Sequence, residues 1–441
     1  MINVLRTSWA LLFGMFLLQI GNGLQGSLMG VRGAIEGFAT FELSLVASAY
    51  FVGFLGGSQL APKFIAKVGH VRVFAALASL ISAVLISYPV VTDPWVWMVL
   101  RVLIGFSLSG VYVTAESWLN NAATNTTRGQ SLSAYALVQM IGLVAAQGIL
   151  SVGDPAGWLL FVIPSILVSL SFAPVLLNAQ PTPSFETARP LSLRQLYAAS
   201  PFGMVGMALL GGVFAGQFAM APVYAAEAGL GLGQLSLFVS SFFIGAILFQ
   251  YPVGWLSDRV DRRVLIIALA GVAALVGGIG MVFGAVYPLL LTSAFLSGGL
   301  VQPLYALLIA YTNDYLEHDD MAAASGGLIF VNGVGAIAGP PAMGALMAQV
   351  GPAGFWLFMS AVLVALAGYG LWRMTQRVSA YAEEDDYAAV PYTAVLPGAI
   401  SPVAVEAAQE LYVEAAEELA EAEGEAEQDA AAPPGPTGTA A

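Results

Sequence analysis

The sequence predicts an all-α membrane protein with twelve transmembrane helices in two pseudo-symmetric six-helix bundles. Three observations carry this. Of 441 residues, 58% are hydrophobic and only 9% charged, against about 25% charged in soluble domains. The chain divides into long charge-free windows, and a bilayer-crossing helix needs about 20 apolar residues. A six-helix segment also recurs at a nearly constant offset.

The windows run, in order, 7–31, 43–62 and 73–92, then 94–115 interrupted only by Arg101. After them come 129–153, 155–185, 195–226 and 228–257. Windows 264–313 and 321–372 are each long enough for two helices. A β-barrel needs apolar/polar alternation over about ten residues per strand, and these windows lack it. The first window follows Arg6 with no convincing small-residue cleavage site, so it reads as a retained helix rather than a signal peptide.

Orientation follows from Lys and Arg, which favour cytoplasmic loops. With both termini cytoplasmic, the inner connections collect Lys63, Lys67, Arg72, Arg128, Arg189, Arg194, Arg259, Arg262 and Arg263. The outer connections hold only Arg32. This predicts a multi-pass protein of a cell inner (plasma) membrane.

The net charge of -13 belongs to one end of the chain. Residues 1–373 hold 13 basic and 13 acidic residues, whereas 374–441 hold one Arg and 14 acidic residues. The expected division is a first bundle over 1–177, a cytoplasmic linker over 178–200, a second bundle over 201–373 and an acidic, mostly disordered tail over 374–441. Within the tail, Ser401-Pro402 opens a candidate short helix to about residue 422. There is no cysteine, and the two histidines, His70 and His318, lie in or beside charge-rich loops. No metal, cofactor, nucleic-acid partner or enzymatic activity is expected.

A shift of 192 residues aligns Leu43-Ser44-Leu45 with Leu235-Ser236-Leu237, Ser48 with Ser240, Phe51 with Phe243, and Gly53 with Gly245. It also places Gln25 on Gln217. Further along, a shift of 193 pairs Gln139 with Asn332 and Gly142 with Gly335. An even number of helices per repeat makes the halves parallel, related by an axis along the membrane normal. In transporters built this way, substrate sits near the midplane between the halves.

Four motifs stand out. Gly254-Trp255-Leu256-Ser257-Asp258-Arg259-Val260-Asp261-Arg262-Arg263 fills the loop between the eighth and ninth helices. This resembles the signature G-x-x-x-D-R-x-G-R-R of the major facilitator superfamily, with Asp261 in place of the second Gly. The resemblance covers about residues 7–373. It implies that superfamily's fold, alternating access powered by an ion gradient, and a latching role for Gly254, Asp258, Arg259, Arg262 and Arg263. A simple positive-inside turn is the plainer reading. The repeat copy runs from Pro62 through Lys67 and Gly69 to Arg72, with Ala66 where the Asp belongs.

Helix 4 carries Trp97, Arg101, Gly105 and Ser107, which resemble a second superfamily signature. An intramembrane Arg is costly and a functional candidate by default. Arg101 reads as a holder of an anionic group, a member of a proton relay, or a structural Arg on neighbouring carbonyls. Gly335, Gly339, Pro340 and Gly344 resemble the superfamily's Gly-Pro motif, displaced to the eleventh helix, where helix packing is the favoured reading. Glu116 and Arg128 suggest a gate or a static clamp, with Asp314 as a counterpart in the second half.

Uncharged polar residues outline a substrate cavity: Gln19, Asn22 and Gln25 on helix 1, Gln139 on helix 5, Gln217 on helix 7, Gln302 and Tyr305 on helix 10, and Asn332 on helix 11. Facing lipid would leave them unpaired at a cost. Arg32 reads as an i,i+4 partner of Glu36, or with Arg101 as a positive outer vestibule. The function expected is proton-coupled secondary transport of a small solute by a monomer, with export favoured. The alternatives are an organic-anion importer or facilitator, and a non-transporting membrane scaffold or assembly factor of the same fold.

Overall fold

The computed structural model describes residues 9–122, 125–174, 192–316 and 318–376, with side chains outside 120–129, 317–320 and 322–323. The acidic tail and its candidate helix lie outside these residues. The described chain is helical throughout its regular elements. In hydrocarbon a spanning segment must satisfy its own backbone, which the α-helix does.

The first half holds α1 (Trp9–Ile35), α2 (Thr40–Val68), α3 (His70–Ser87), α4 (Pro94–Ala122), α5 (Asn125–Val152) and α6 (Leu159–Ser171). A short helix, α7 (Leu193–Ala199), precedes the second half. That half holds α8 (Pro201–Glu227), α9 (Leu232–Ser257), α10 (Arg262–Phe283), α11 (Tyr287–Val301), α12 (Leu304–Asn313), α13 (His318–Val350) and α14 (Ala353–Met374). Among the described residues, 11 helices are long and apolar enough to cross a membrane, and α6 adds a shorter apolar helix in the sixth window. One element differs from a uniform series of spans. The tenth span is broken into α11 and α12 by a turn at Gln302 and Pro303, since Pro has no N–H for the helix ladder.

The repeat is visible in the backbone. Gly37, after α1, has φ 79°, and Gly229, after α8, has φ 71°. These are equivalent positions at the 192-residue offset. In each turn the following residue's N–H reaches back five residues: Phe38 to the Gly33 carbonyl at 2.9 Å and Leu230 to the Ala225 carbonyl at 3.0 Å. Only Gly takes such a φ without strain, and the two hydrogen bonds satisfy the helix's last carbonyls.

Packing repeats too. In the first bundle α1 packs on α5 and α6, α2 on α4, and α3 on α4 and α6. In the second, α8 packs on α13 and α14, α9 on α11, and α10 on α11 and α14. Small residues permit backbone approach. A Cβ on Gly53 would overlap the Val102 carbonyl, and one on Gly105 the Tyr50 carbonyl. In the second bundle a Cβ on Gly245 would overlap the Phe295 carbonyl, and one on Gly298 the Phe242 carbonyl.

The bundles meet along a seam of α1 with α8, α2 with α13, and α5 with α9. We call the end carrying Trp9, α7 and Met374 the near end. The seam is closed at the far end. There Thr40 hydrogen-bonds Glu227, Ser48 Oγ donates to the Ile337 carbonyl at 2.6 Å, and Gly344 lies against Ser44. Leu80, Ile86, Val99, Ile166, Leu275 and Val364 are exposed on the outer surface, an apolar coat suited to lipid.

Candidate functional site

The candidate site is built on α4. Asp93 starts that helix, its Oδ1 accepting the Trp95 and Val96 N–H groups at 2.9 and 3.1 Å. Arg101 follows two turns in and is 5% exposed. The glycine contacts that press α2 on α4 bring the Tyr50 ring to 5.1 Å from the guanidinium carbon. Arg101 Nη1 donates to Gln25 Oε1 of α1 at 2.6 Å, and Arg101 Nε has no hydrogen-bond partner. No carboxylate pairs with Arg101 among the described residues.

A polar network continues below it. Tyr112 Oη donates to Gln19 Oε1 at 2.7 Å, and Gln19 Nε2 donates to Gln139 Oε1 at 2.9 Å. Asn22 Nδ2 lies 3.3 Å from Gln19 Oε1. Gln147 Nε2 donates to Ser27 Oγ at 2.9 Å. Each bond offsets the cost of burying an amide. Gln19, Asn22, Ser27, Tyr50, Arg101, Tyr112 and Gln147 line a cavity of about 120 Å³ at the seam. Phe218 and Ala219 of α8 and Val239 and Phe243 of α9 close it from the second bundle.

The family model described as Major Facilitator Superfamily matches residues 11–238 and 204–400. The chain belongs to that superfamily. It is therefore a multi-pass membrane protein of the superfamily fold. Curated relatives include MFS-type transporters named as uncharacterized. One is YcaD of Salmonella arizonae, 26% identical over 345 residues, covering 76% of this chain and 88% of the relative. Another, from Yersinia pseudotuberculosis, is 26% identical over 350 residues with the same coverages. Among solved structures the fold is similar to the nucleoside transporter NupG, with TM-score 0.69 at 16% identity, covering 84% of this chain and 99% of that one. It is also similar to FucP in the outward conformation, with TM-score 0.53 at 16% identity, covering 82% and 97%.

Within this superfamily member, the structure brings Gln19, Asn22, Gln25, Gln139 and Arg101 together. Arg32 is elsewhere. It pairs with Glu36 at 2.6 Å and donates to the carbonyls of Pro155, Ala156 and Gly157, which staples it to the α5–α6 turn at the far end. The vestibule expected from Arg32 with Arg101 is thus not formed. Asn332 Nδ2 donates to the Met207 carbonyl at 3.0 Å and bridges α13 to α8. Gln217, Gln302 and Tyr305 are buried in the second bundle and do not line this cavity.

In the α9–α10 loop, Asp261 caps α10 by accepting the Arg263 N–H at 2.8 Å. The Arg263 guanidinium lies 3.8 Å from the Asp261 carboxylate. Arg259 packs its guanidinium 4.1 Å from the Trp255 ring centroid and donates to the Trp255 carbonyl. Arg262 forms an ion pair with Asp314, at the end of α12. Asp258 stands at the end of α9, and Gly254 is one turn earlier. Lys67 and Arg72 are exposed where α2 meets α3. Glu116 is fully buried, deeper than its place six residues from the end of α4 suggests. Its expected partner Arg128 falls outside the described side chains.

Gly335 and Gly339 pack on α8, where a Cβ would overlap the carbonyls of Ala208 and Gly212. Pro340 follows them inside α13. Gly344 instead faces Ser44 across the seam. Phe51, Phe218 and Phe243 are cavity residues that polarity does not single out, whereas Gln147, Tyr50 and Tyr112 are cavity residues whose polarity was a usable signal. Phe51 and Phe243 carried a signal nonetheless, being an identical pair in the internal repeat.

Proposed function

We propose that this chain is a secondary transporter that moves a small solute across an inner membrane by alternating access. The supporting observation is the cavity at the seam, walled by both bundles, with the buried cation Arg101 in it. At about 120 Å³ it is smaller than the ~300–1,000 Å³ typical of drug-sized ligands. The closed far end makes this a state in which that side of the membrane has no path to the site. Both termini are assigned to the cytoplasm, so the near end is the inner one. The division into bundles 1–177 and 201–373, a linker 178–200 and a tail 374–441 belongs to the same reading.

Proton coupling is assigned to Glu116. It lies within electrostatic reach of Tyr112 and Tyr135 and, from the second bundle, Tyr305. A buried carboxylate beside the seam is placed to exchange a proton as the bundles rock. Export is the assigned direction. An organic-anion importer or facilitator is the second reading, supported by the lack of a carboxylate on Arg101.

The test uses the full chain in proteoliposomes with a pH-sensitive dye inside. Solute-dependent proton movement, lost in Glu116→Gln while solute counterflow persists, is the expected result. Solute movement without any proton movement removes the coupling. Bound solute that never crosses the membrane in any condition favours a scaffold with a binding site.

A further inference from the structure

The two walls of the seam cavity differ in chemistry, although the repeat relates them. At the 192-residue offset Asn22 corresponds to Phe214, Gln19 to Gly211 and Tyr50 to Phe242; in the fourth span, where the paired glycine contacts set the offset at 193, Arg101 corresponds to Ala294. The first bundle thus supplies the cation and the amides. The second supplies rings. Phe218 stacks on Phe243 with centroids 5.2 Å apart and planes at 21°, and on Phe214 with centroids 6.2 Å apart at 10°. Phe218 and Phe243 close the cavity opposite Arg101's wall.

A buried cation is costly unless paired. Arg101 has one amide oxygen, from Gln25, one ring face, from Tyr50, and the buried Tyr88 hydroxyl within electrostatic reach, but among the described residues no anion. Its guanidinium has five N–H donors, and Nε has no acceptor. The planar fork matches a carboxylate. Among the described residues no second cation lines the cavity, so a single acidic group is matched.

We propose that the solute is a small amphipathic monocarboxylate, its carboxylate on Arg101 and its apolar, ring-bearing body against Phe218 and Phe243. Gln19, Asn22 and Tyr112 face the part of the solute next to the acid and select polar substituents there. This rests on the reading of the seam cavity as the solute site.

The experiment follows thermal unfolding of the full chain in nanodiscs against benzoate, acetate, benzamide and benzylamine at equal ionic strength. A ligand that binds the folded state raises the midpoint with concentration. Benzoate is expected to bind at least tenfold more tightly than benzamide, which keeps the ring and loses the charge. It is also expected to bind at least tenfold more tightly than acetate, which keeps the charge and loses the ring. Arg101→Gln removes the preference for benzoate over benzamide. Phe218→Ala reduces the preference over acetate to within threefold.

If Arg101→Gln fails to fold, the wild-type series and Arg101→Lys decide. Arg101→Lys keeps a preference over benzamide, reduced because the fork is lost. Equal binding of benzoate and benzamide, or tighter binding of benzylamine, overturns the proposal. Transport of a neutral or cationic solute in the proteoliposomes overturns this solute class but leaves the transporter reading intact. Binding of benzoate with no transport of any solute strikes the transporter reading instead.

Discussion

Arg262 and Asp314 form a buried ion pair within the second bundle, joining the start of α10 to the end of α12. Their side chains are 2% and 9% exposed. The signature loop therefore clamps helices of one half together. Breaking a buried pair leaves one charge uncompensated, at a cost of about 3–5 kcal/mol. Asp314→Asn should lower the unfolding midpoint of the purified protein by several degrees. Arg262→Met with Asp314→Leu should recover most of that loss, because the pair's desolvation is removed along with its attraction. A double variant no better than the single would argue against the clamp.

Gln25 sets the charge of the cavity through the 2.6 Å bond to Arg101. Gln25→Glu puts a carboxylate in the same place and neutralises the cation from within. Benzoate binding should fall at least tenfold while the folded yield is kept. Gln25→Leu keeps the positive charge but loses the oxygen that orients it, so its loss should be smaller. Titration of both variants by thermal shift distinguishes them. Equal loss in both would mean that orientation, not charge, governs binding.

The glycine contacts inside the bundles predict large, position-specific effects. Gly53→Ala and Gly245→Ala each drive a methyl into a facing backbone carbonyl. Overpacking of this kind costs about 1–3 kcal/mol, sometimes more. Gly278, where an added methyl would meet nothing within 4 Å, is the control. Gly278→Ala should be neutral or mildly stabilising, given the helix preference for Ala over Gly. Expression level and unfolding midpoint should rank the three accordingly.

The absence of cysteine from the whole chain makes the seam directly testable. Ser44→Cys with Gly344→Cys places two thiols on facing residues of α2 and α13. An oxidant should cross-link them and arrest transport, with activity restored by a reductant. Cross-linking without arrest would show that the far end need not open.

Much of the architecture was legible because bilayer thickness imposes a length on every apolar run. The windows located the helices, and the offset of 192 found the repeat that the backbone then showed in the turns at Gly37 and Gly229. Of the polar residues read as one cavity, Gln19, Asn22, Gln25, Gln139 and Arg101 cluster, whereas Gln217, Gln302, Tyr305 and Asn332 do not: a polar group in hydrocarbon must find a partner, but its type does not say which one. Arg32 was legible as the i,i+4 partner of Glu36, but its carbonyl partners were not, since they belong to the α5–α6 turn, far along the chain, and carbonyls leave no trace in a sequence. The break at Gln302 and Pro303 was hidden inside an uninterrupted window. Phe218 was hidden among other apolar residues, because a ring facing a cavity and a ring facing lipid look alike in composition.

The glycine-to-carbonyl contacts have a mechanical consequence. Backbone set directly on backbone has no rotamers to exchange, so α2 with α4 and α9 with α11 form two stiff girders. Deformation is then confined to the line where the girders meet. At the far end that line is held by Thr40 with Glu227, Ser48 with the Ile337 carbonyl, Gly344 against Ser44 and Gly30 against Val223. In the proposed transport cycle the speed of the swing would be set by these residues, well away from the solute, which would leave turnover and selectivity free to be adjusted separately.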